Sequence, residues 1–446
     1  MSSSSSGTGT HSGSAPLVRS SPVTKTNPYC IEDQSDKVKT FVDLHPPEPF
    51  ETAKDFLKSL HFSQLPQAPE TPDSARDLSA LGFLTVANDI AKSIKDLRAH
   101  HLYFVFDFSL TTSDFFTLDF PNGSLLVFKN TQNKRHSGIL DMTCRPNITA
   151  AFEHDWQEDS ITSWPLIRLV GEQMSSSEGE KNAASYLYYL LLARPDLHVA
   201  QGLLTCNSGV MFLLGFGGDG IDKLSAKWND EDLYKLLYAF IYRLYKPAHF
   251  ADQSYVRADF DRETSGMTYT VRITLQDGTV NCPGFYPVYA GSPFRTRTHV
   301  LSNPSSEVLV KGQALTVLKD QLCLLKECFH EMSILNTIHG AGRVPGVVEA
   351  IHDETITTPV KSAGLCKRRL GLSESGSPFT SIPTPRKLLE TLFDLLEGIY
   401  FESLLRYDLL TVCKYCGFCI PNAVSFIVIS VRETCYLSKT RRVARR

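Results

Sequence analysis

The spacing of apolar positions changes several times along the chain, and each change marks an element. Over residues 48–67, Phe50, Phe56, Leu57 and Leu60 recur at helical spacing and predict one amphipathic helix, with another expected over 78–97. From 101 the period shortens. HLYFVFDFSL, SLLVFKN and GILDMTC are short β-rich runs separated by Asn122-Gly123 and by residues 130–137, which reads as a strand meander. WPLIRLVGE (164–172) predicts a further strand, and AASYLYYLLLA (183–193) a strongly apolar helix closed by Arg194-Pro195. Strands over 198–205 and 209–216 and a helix over 230–245 complete one α/β unit of about 150 residues, the ordinary size of a domain.

A second unit begins near 267. Strands are expected over 267–275, 279–289 (interrupted by Pro283-Gly284), 296–302, 307–310 and 314–319, followed by a helix over 323–338. After Val344-Pro345-Gly346 come strands at 347–351 and 367–373. Thr384-Pro385 supplies an N-cap and a first-turn proline for a helix over 386–405, whose leucines fall at helical spacing.

Composition narrows the function classes. A hydrophobic share of 42% with 21% charged residues excludes wholesale disorder, although the Ser/Pro-rich residues 1–45 cannot bury enough apolar surface to fold. Lys+Arg 45 against Asp+Glu 48 is too acidic for a protein that tracks phosphate backbones, so no specific nucleic acid is expected as a partner. Eleven cysteines are too sparse for a disulfide scaffold, and MSSSSSGTGTHSGS has no apolar core for a secretory signal, so an intracellular, cytoplasmic or nuclear location is expected. The apolar run 418–431 is shorter than the ~20 residues a bilayer requires, so no membrane association is expected.

The richest chemistry is Val317-Leu318-Lys319 on a strand, with Glu331 in the next helix twelve residues later. A carboxylate beside a strand lysine keeps the ammonium extended and charged, able to grip nucleotide phosphates. Around this pair, LTVLKDQLCLLKECFHEMSILNTIHGAGRVPGVVEAI followed by CKRRLGLSESGSPFTSIPTPRKLLETLFDLLEGIYF resembles the fungal-type protein kinase family, a divergent branch of the protein-kinase-like fold. RPDLHVAQGLLTCNSGVMFLLGF looks like that family's N-terminal region, so the resemblance covers roughly 115–405.

The resemblance implies an α+β chain: an α/β accessory domain (46–260), a partial protein-kinase-like domain (267–410) with an N-lobe and incomplete C-lobe, and a divergent Cys/Arg-containing tail (411–446). It further implies ATP-dependent Ser/Thr phosphorylation of a protein substrate, with ATP and Mg as cofactors. Lys319 would grip the phosphates, Glu331 would hold it, and Glu327 would be the substitute partner. The family's H-R-D-x-x-x-x-N and D-[FY]-G segments do not follow RYDLL (406–410), and AGSPFRTRTHV (290–300) contains only Gly291 where a glycine-rich loop belongs. The chain is therefore expected to be a catalytically defective homologue, a pseudokinase with no catalytic or metal residue assigned. Val412-Cys413-Lys414-Tyr415 can be encoded by a splice-donor string, which suggests read-through or a frameshift from about 411.

Two other classes remain open: a non-catalytic scaffold that binds a protein partner, and a nuclease-like N-terminal domain. The strand order around GILDMTCRPN and LIRLVGEQ is similar to restriction-nuclease-like cores, but Asn147 stands where an Asp would bind metal and Glu172 is followed by Gln173-Met174 with no Lys. Cys413, Cys416 and Cys419 have metal-ligand spacing, with Cys435 as a fourth candidate, and KTRRVARR resembles an import or acidic-partner patch. Both lie in the divergent tail and are read as accidental. Gly215–Gly220 is read as a strand-to-helix loop in preference to a phosphate cradle, and His100-His101 as surface or satisfied histidines.

Overall fold

Two seven-stranded sheets, the first with central strands buried on both faces, organise the computed structural model. It describes residues 47–60, 82–104, 124–132, 136, 145–156, 162–173, 177–245, 250–261, 266–294, 297–324, 331–342, 348–356, 365–374, 384 and 386. The mixture of large sheets with few helices fits an α+β class. Among the described residues no helix is long and apolar enough to cross a membrane.

The first sheet contains β1 (Glu48–Pro49), β2 (Leu126–Asn130), β3 (Ile148–Phe152), β4 (Leu169–Gln173), β5 (Val199–Cys206), β6 (Gly209–Phe216) and β7 (Gly220–Lys227), in the order β1-β7-β6-β5-β4-β3-β2. β2, β3 and β4 form an antiparallel meander; β5 then returns parallel to β4 and continues antiparallel through β6 and β7. The helix α3 (Ser177–Ala193) makes that parallel crossover, as a parallel return requires. It covers one face, where Leu187 and Leu191 pack with Val170, Ala200 and Leu213. Helices α1 (Ala53–Ser59), α2 (Phe83–Phe104) and α4 (Leu233–Tyr245) cover the other, where Phe56, Ile90 and Phe240 meet Val199, Phe212 and Leu214. Leu213 and Leu214 thus serve opposite cores, which explains why this strand is apolar throughout instead of alternating.

Several sequence expectations need correction here. The helix expected over 48–67 is shorter, because Glu48-Pro49 pair in parallel with Asp222 and Lys223. α1 starts only where the Thr52 hydroxyl accepts from the Asp55 amide at 3.1 Å. Residues 101–104, expected to start a strand, are the last turn of α2: extending an established helix by one residue is easier than starting a new element. The strand expected over 164–172 begins only at Leu169, since Pro165 sits in a 3₁₀ turn at Trp164–Leu166. The Gly217–Asp219 segment leads not to a helix but into the hairpin strand β7, with Gly218 and Gly220 at φ 83° and 120°. The runs 1–46, 138–144 and 387–446 lie outside the described residues.

The second sheet is wholly antiparallel. Its strands are β8 (Tyr255–Asp261), β9 (Gly266–Leu275), β10 (Gly278–Ala290), β11 (Thr298–Ser302), β14 (Val317–Leu324), β15 (Ala350–Ile356) and β16 (Leu365–Leu372), in the order β15-β16-β14-β11-β10-β9-β8. β8, which falls within the range expected for the accessory unit, hydrogen-bonds to β9 and so belongs to this second sheet. A small hairpin, β12 (Leu309–Val310) with β13 (Gln313–Ala314), turns through Lys311 and Gly312, both at positive φ. Pro283-Gly284 interrupts β10 as a bulge, because proline cannot donate to the ladder. One face packs as an apolar core of Tyr269, Val271, Phe285, Leu301 and Leu318. On the other, α5 (Glu331–Ile338) sets Leu335 against Ala350 and Leu370.

The two units interlock. The His198 amide donates to the Phe250 carbonyl and the Asp252 amide to the Asp196 carbonyl, both at 2.7 Å. From the β10–β11 connection, Phe294 packs edge-on to Tyr188 of α3 at 5.6 Å. Arg297 donates to the carbonyls of Leu191 (2.8 Å), Arg194 (2.7 Å) and Leu197; the first belongs to the last turn of α3, which has no intrahelical donor for it.

Candidate nucleotide-phosphate site

β14 is the third of the seven strands counted from the β15 edge, and its alternation decides what each neighbour can reach. Leu318, Asp320 and Leu322 are buried, whereas Lys319 and Gln321 are only partly covered. Lys319 is registered between Val300 of β11 and Leu370 of β16, on the face that α5 covers. Its Nζ lies 2.7 Å from Oε2 of Glu331, the first residue of α5. The two residues that the sequence singles out therefore meet. Lys319 is 17% exposed and Glu331 41%, so the pair borders solvent and a ligand can approach it. A pair this exposed contributes only ~0–1 kcal/mol to stability. Glu327 lies outside the described residues.

The opposite face of the same strand carries a network that sequence reasoning missed. Arg369 is fully buried and donates to both Asp320 oxygens, at 2.7 and 2.8 Å. Lys367 bridges Asp320, at 2.8 Å, and Asp252 of the inter-unit linker. The Tyr255 hydroxyl donates to Asp320 at 2.8 Å, and its ring lies under the Lys367 and Arg369 cations at 4.8 and 5.4 Å. Burial pushes the Asp252 and Asp320 carboxyls upward, but attraction to Lys367 and Arg369 outweighs it and holds both well below the ordinary range. Arg369 also reaches the Arg272 carbonyl at 3.1 Å, and Glu354 accepts from the Thr274 amide at 2.9 Å, so side chains from β15 and β16 cover the stretch of β9 beyond the end of β8. The available signal was Lys367-Arg368-Arg369: three consecutive cations on an interior strand force at least one to each face, and each buried cation needs a carboxylate.

The connection that precedes β11 occupies the place where the resemblance expects a glycine-rich loop. Here it is anchored in the first unit by Phe294 and Arg297, and the Gly218 amide donates to the Pro293 carbonyl at 2.6 Å. A Cβ on Gly217 would lie 3.0 Å from Arg297 Nη1 and 3.2 Å from a Leu322 methyl. The glycine-dense turn between β6 and β7 is thus the seat for this connection.

At the restriction-nuclease-like position, the Asn147 amide donates to Glu172 Oε1, the Tyr186 hydroxyl donates to Oε2 at 2.9 Å, and the Gln173 amide donates to Oε1 at 2.9 Å. Both oxygens of this 3%-exposed carboxylate are engaged by neutral donors. Among the described residues no group of three or more His, Cys, Asp or Glu side chains is arranged to hold a metal. His100 and His101 lie on α2, and the cysteines from Cys413 onward lie outside the described residues. No protein-family model, curated protein or solved structure matches this chain.

Proposed function

We propose that the second unit is a nucleotide-binding lobe of the fungal-type protein kinase kind, in which Lys319 grips the phosphates of ATP-Mg and Glu331 keeps its ammonium extended. The observation that carries this reading is the 2.7 Å contact between strand lysine and helix glutamate at the solvent border. The chemistry is electrostatic: an ammonium held in place by a carboxylate neutralises phosphate charge. Magnesium bound with the nucleotide would neutralise further charge. The chain carries no H-R-D or D-F-G segment, so the proposal is of binding, with phosphoryl transfer absent or negligible. A nucleotide-induced thermal shift tests it: at ligand 100-fold above Kd, a competent lobe gains about 2.7 kcal/mol. No shift at millimolar ATP-Mg contradicts the reading.

The anchored β10–β11 connection favours a second reading, a rigid non-catalytic scaffold that displays both units to a protein partner. A partner captured equally by wild type and Lys319→Ala supports it over nucleotide-dependent function. A nuclease role is not proposed, because Glu172 is already saturated by Asn147, Tyr186 and the Gln173 amide.

A further inference from the structure

Each sheet ends in edge strands whose outer N–H and C=O groups pair with another strand unless something protects them. On β2 the protection is visible. The Leu126 amide donates to the Tyr245 hydroxyl at 2.7 Å, and the Phe128 amide and carbonyl exchange hydrogen bonds with the Asn88 side chain at 2.8 and 3.1 Å. At the other end of that sheet, β1 is only two residues long. In the second sheet, Glu354 of the edge strand β15 accepts from the Thr274 amide, which draws β15 against β9. β8 is the exception. Among the described residues, β9 is the only other element hydrogen-bonded to residues 256–260, and the strand carries neither lysine nor proline to blunt its edge.

The side chains along this edge are self-complementary. Arg257 and Asp259 share one face, are 72% and 51% exposed, and form an ion pair of 2.8 Å along the strand. Ala258 lies between them on the opposite face and is exposed, beside Phe260, which packs on the apolar core of this sheet. Two copies of β8 related by a two-fold axis through Ala258 pair antiparallel, with Arg257 of each opposite Asp259 of the other. An axis through Asp259 would instead set two carboxylates face to face, so charge selects the first register. The irregularity between Tyr255 and Arg257 confines regular pairing to the residues after it, so the contact is short.

We propose that β8 is the docking edge for a second copy of this chain, which pairs with it antiparallel about Ala258 and joins the second sheets of two molecules into one. An interface this small makes the dimer weak and dependent on concentration. It lies at the β8 edge and stands apart from the Lys319 reading.

The test is sedimentation velocity of the full chain from about 1 µM to about 1 mM, over which the wild type is expected to pass from monomer to dimer. Arg257→Asp and Asp259→Arg each set like charges opposite one another at both symmetry-related places, and each should weaken dimerisation at least tenfold. The double swap, Arg257→Asp with Asp259→Arg, puts opposite charges back in register and should recover the wild-type dimer. An equimolar mixture of the two single variants should pair for the same reason, which a variant that merely misfolds could not do. A chain that stays monomeric throughout overturns the proposal. So do single variants that dimerise like the wild type, or a double swap and a mixture that fail to restore the dimer.

Discussion

Replacing Arg369 by Met keeps most of the stem volume and removes the charge, which isolates what the guanidinium does. In the intact network two cations, Lys367 and Arg369, face three carboxylates, Asp252, Asp320 and Glu354. Without Arg369 a single cation faces three carboxylates, and Asp320, 2% exposed, keeps only Lys367 and the Tyr255 hydroxyl. Removing one partner of a buried pair typically costs ~3–5 kcal/mol, a fifth or more of the ~5–15 kcal/mol that holds an ordinary domain together. Urea unfolding of both proteins measures the loss as a fall in midpoint at unchanged slope. Changing Asp320→Leu in the same background should recover much of it, since an apolar replacement of the whole pair is often nearly neutral. A single-variant loss below about 1 kcal/mol, or strictly additive losses in the double variant, refutes the reasoning.

Three further outcomes are expected. Gly217→Val drives a side chain into Arg297 and Leu322, so it should cost ~1–3 kcal/mol and raise amide exchange in the β10–β11 connection; unchanged exchange contradicts the seating described. Burial lowers His136 and His198 to about 4 and also holds His299 well below its ordinary value, while the unfolded chain titrates them near 6.5. Their contribution is fully present above about pH 6.5 and is lost as the pH falls toward 4, so urea midpoints should drop between pH 7.5 and 5; a flat profile contradicts it. Asp252 and Asp320 act lower: their stabilisation persists down to about pH 4 and falls beneath it, and Arg369→Met should move that acid limb upward.

The meeting of Lys319 with Glu331 was legible because both partners sit in one strand–helix unit, twelve residues apart, where local periodicity places them. β5, β6, β9 and β10 were legible for the same reason, whereas β8 was not expected and β14 runs on to Leu324 through residues 323–324 that were assigned to a helix. What escaped is long-range. Asp252 and Lys367 are 115 residues apart, and nothing in a linear pattern pairs them. β7 was missed because Gly215–Gly220 reads as a loop, although its glycines serve a tight hairpin and the close approach of Arg297. Residues 101–104 show the opposite failure: aromatic β-formers were carried into a helix already under way.

Equilibrium dialysis of labelled ATP-Mg against wild type and Lys319→Met puts the phosphate-gripping pair to its most direct test. Saturable binding that weakens at least tenfold in the variant, with unfolding free energies from urea matching to within about 1 kcal/mol, is the predicted result. Equal affinity in both proteins, or no saturable binding to the wild type, contradicts it.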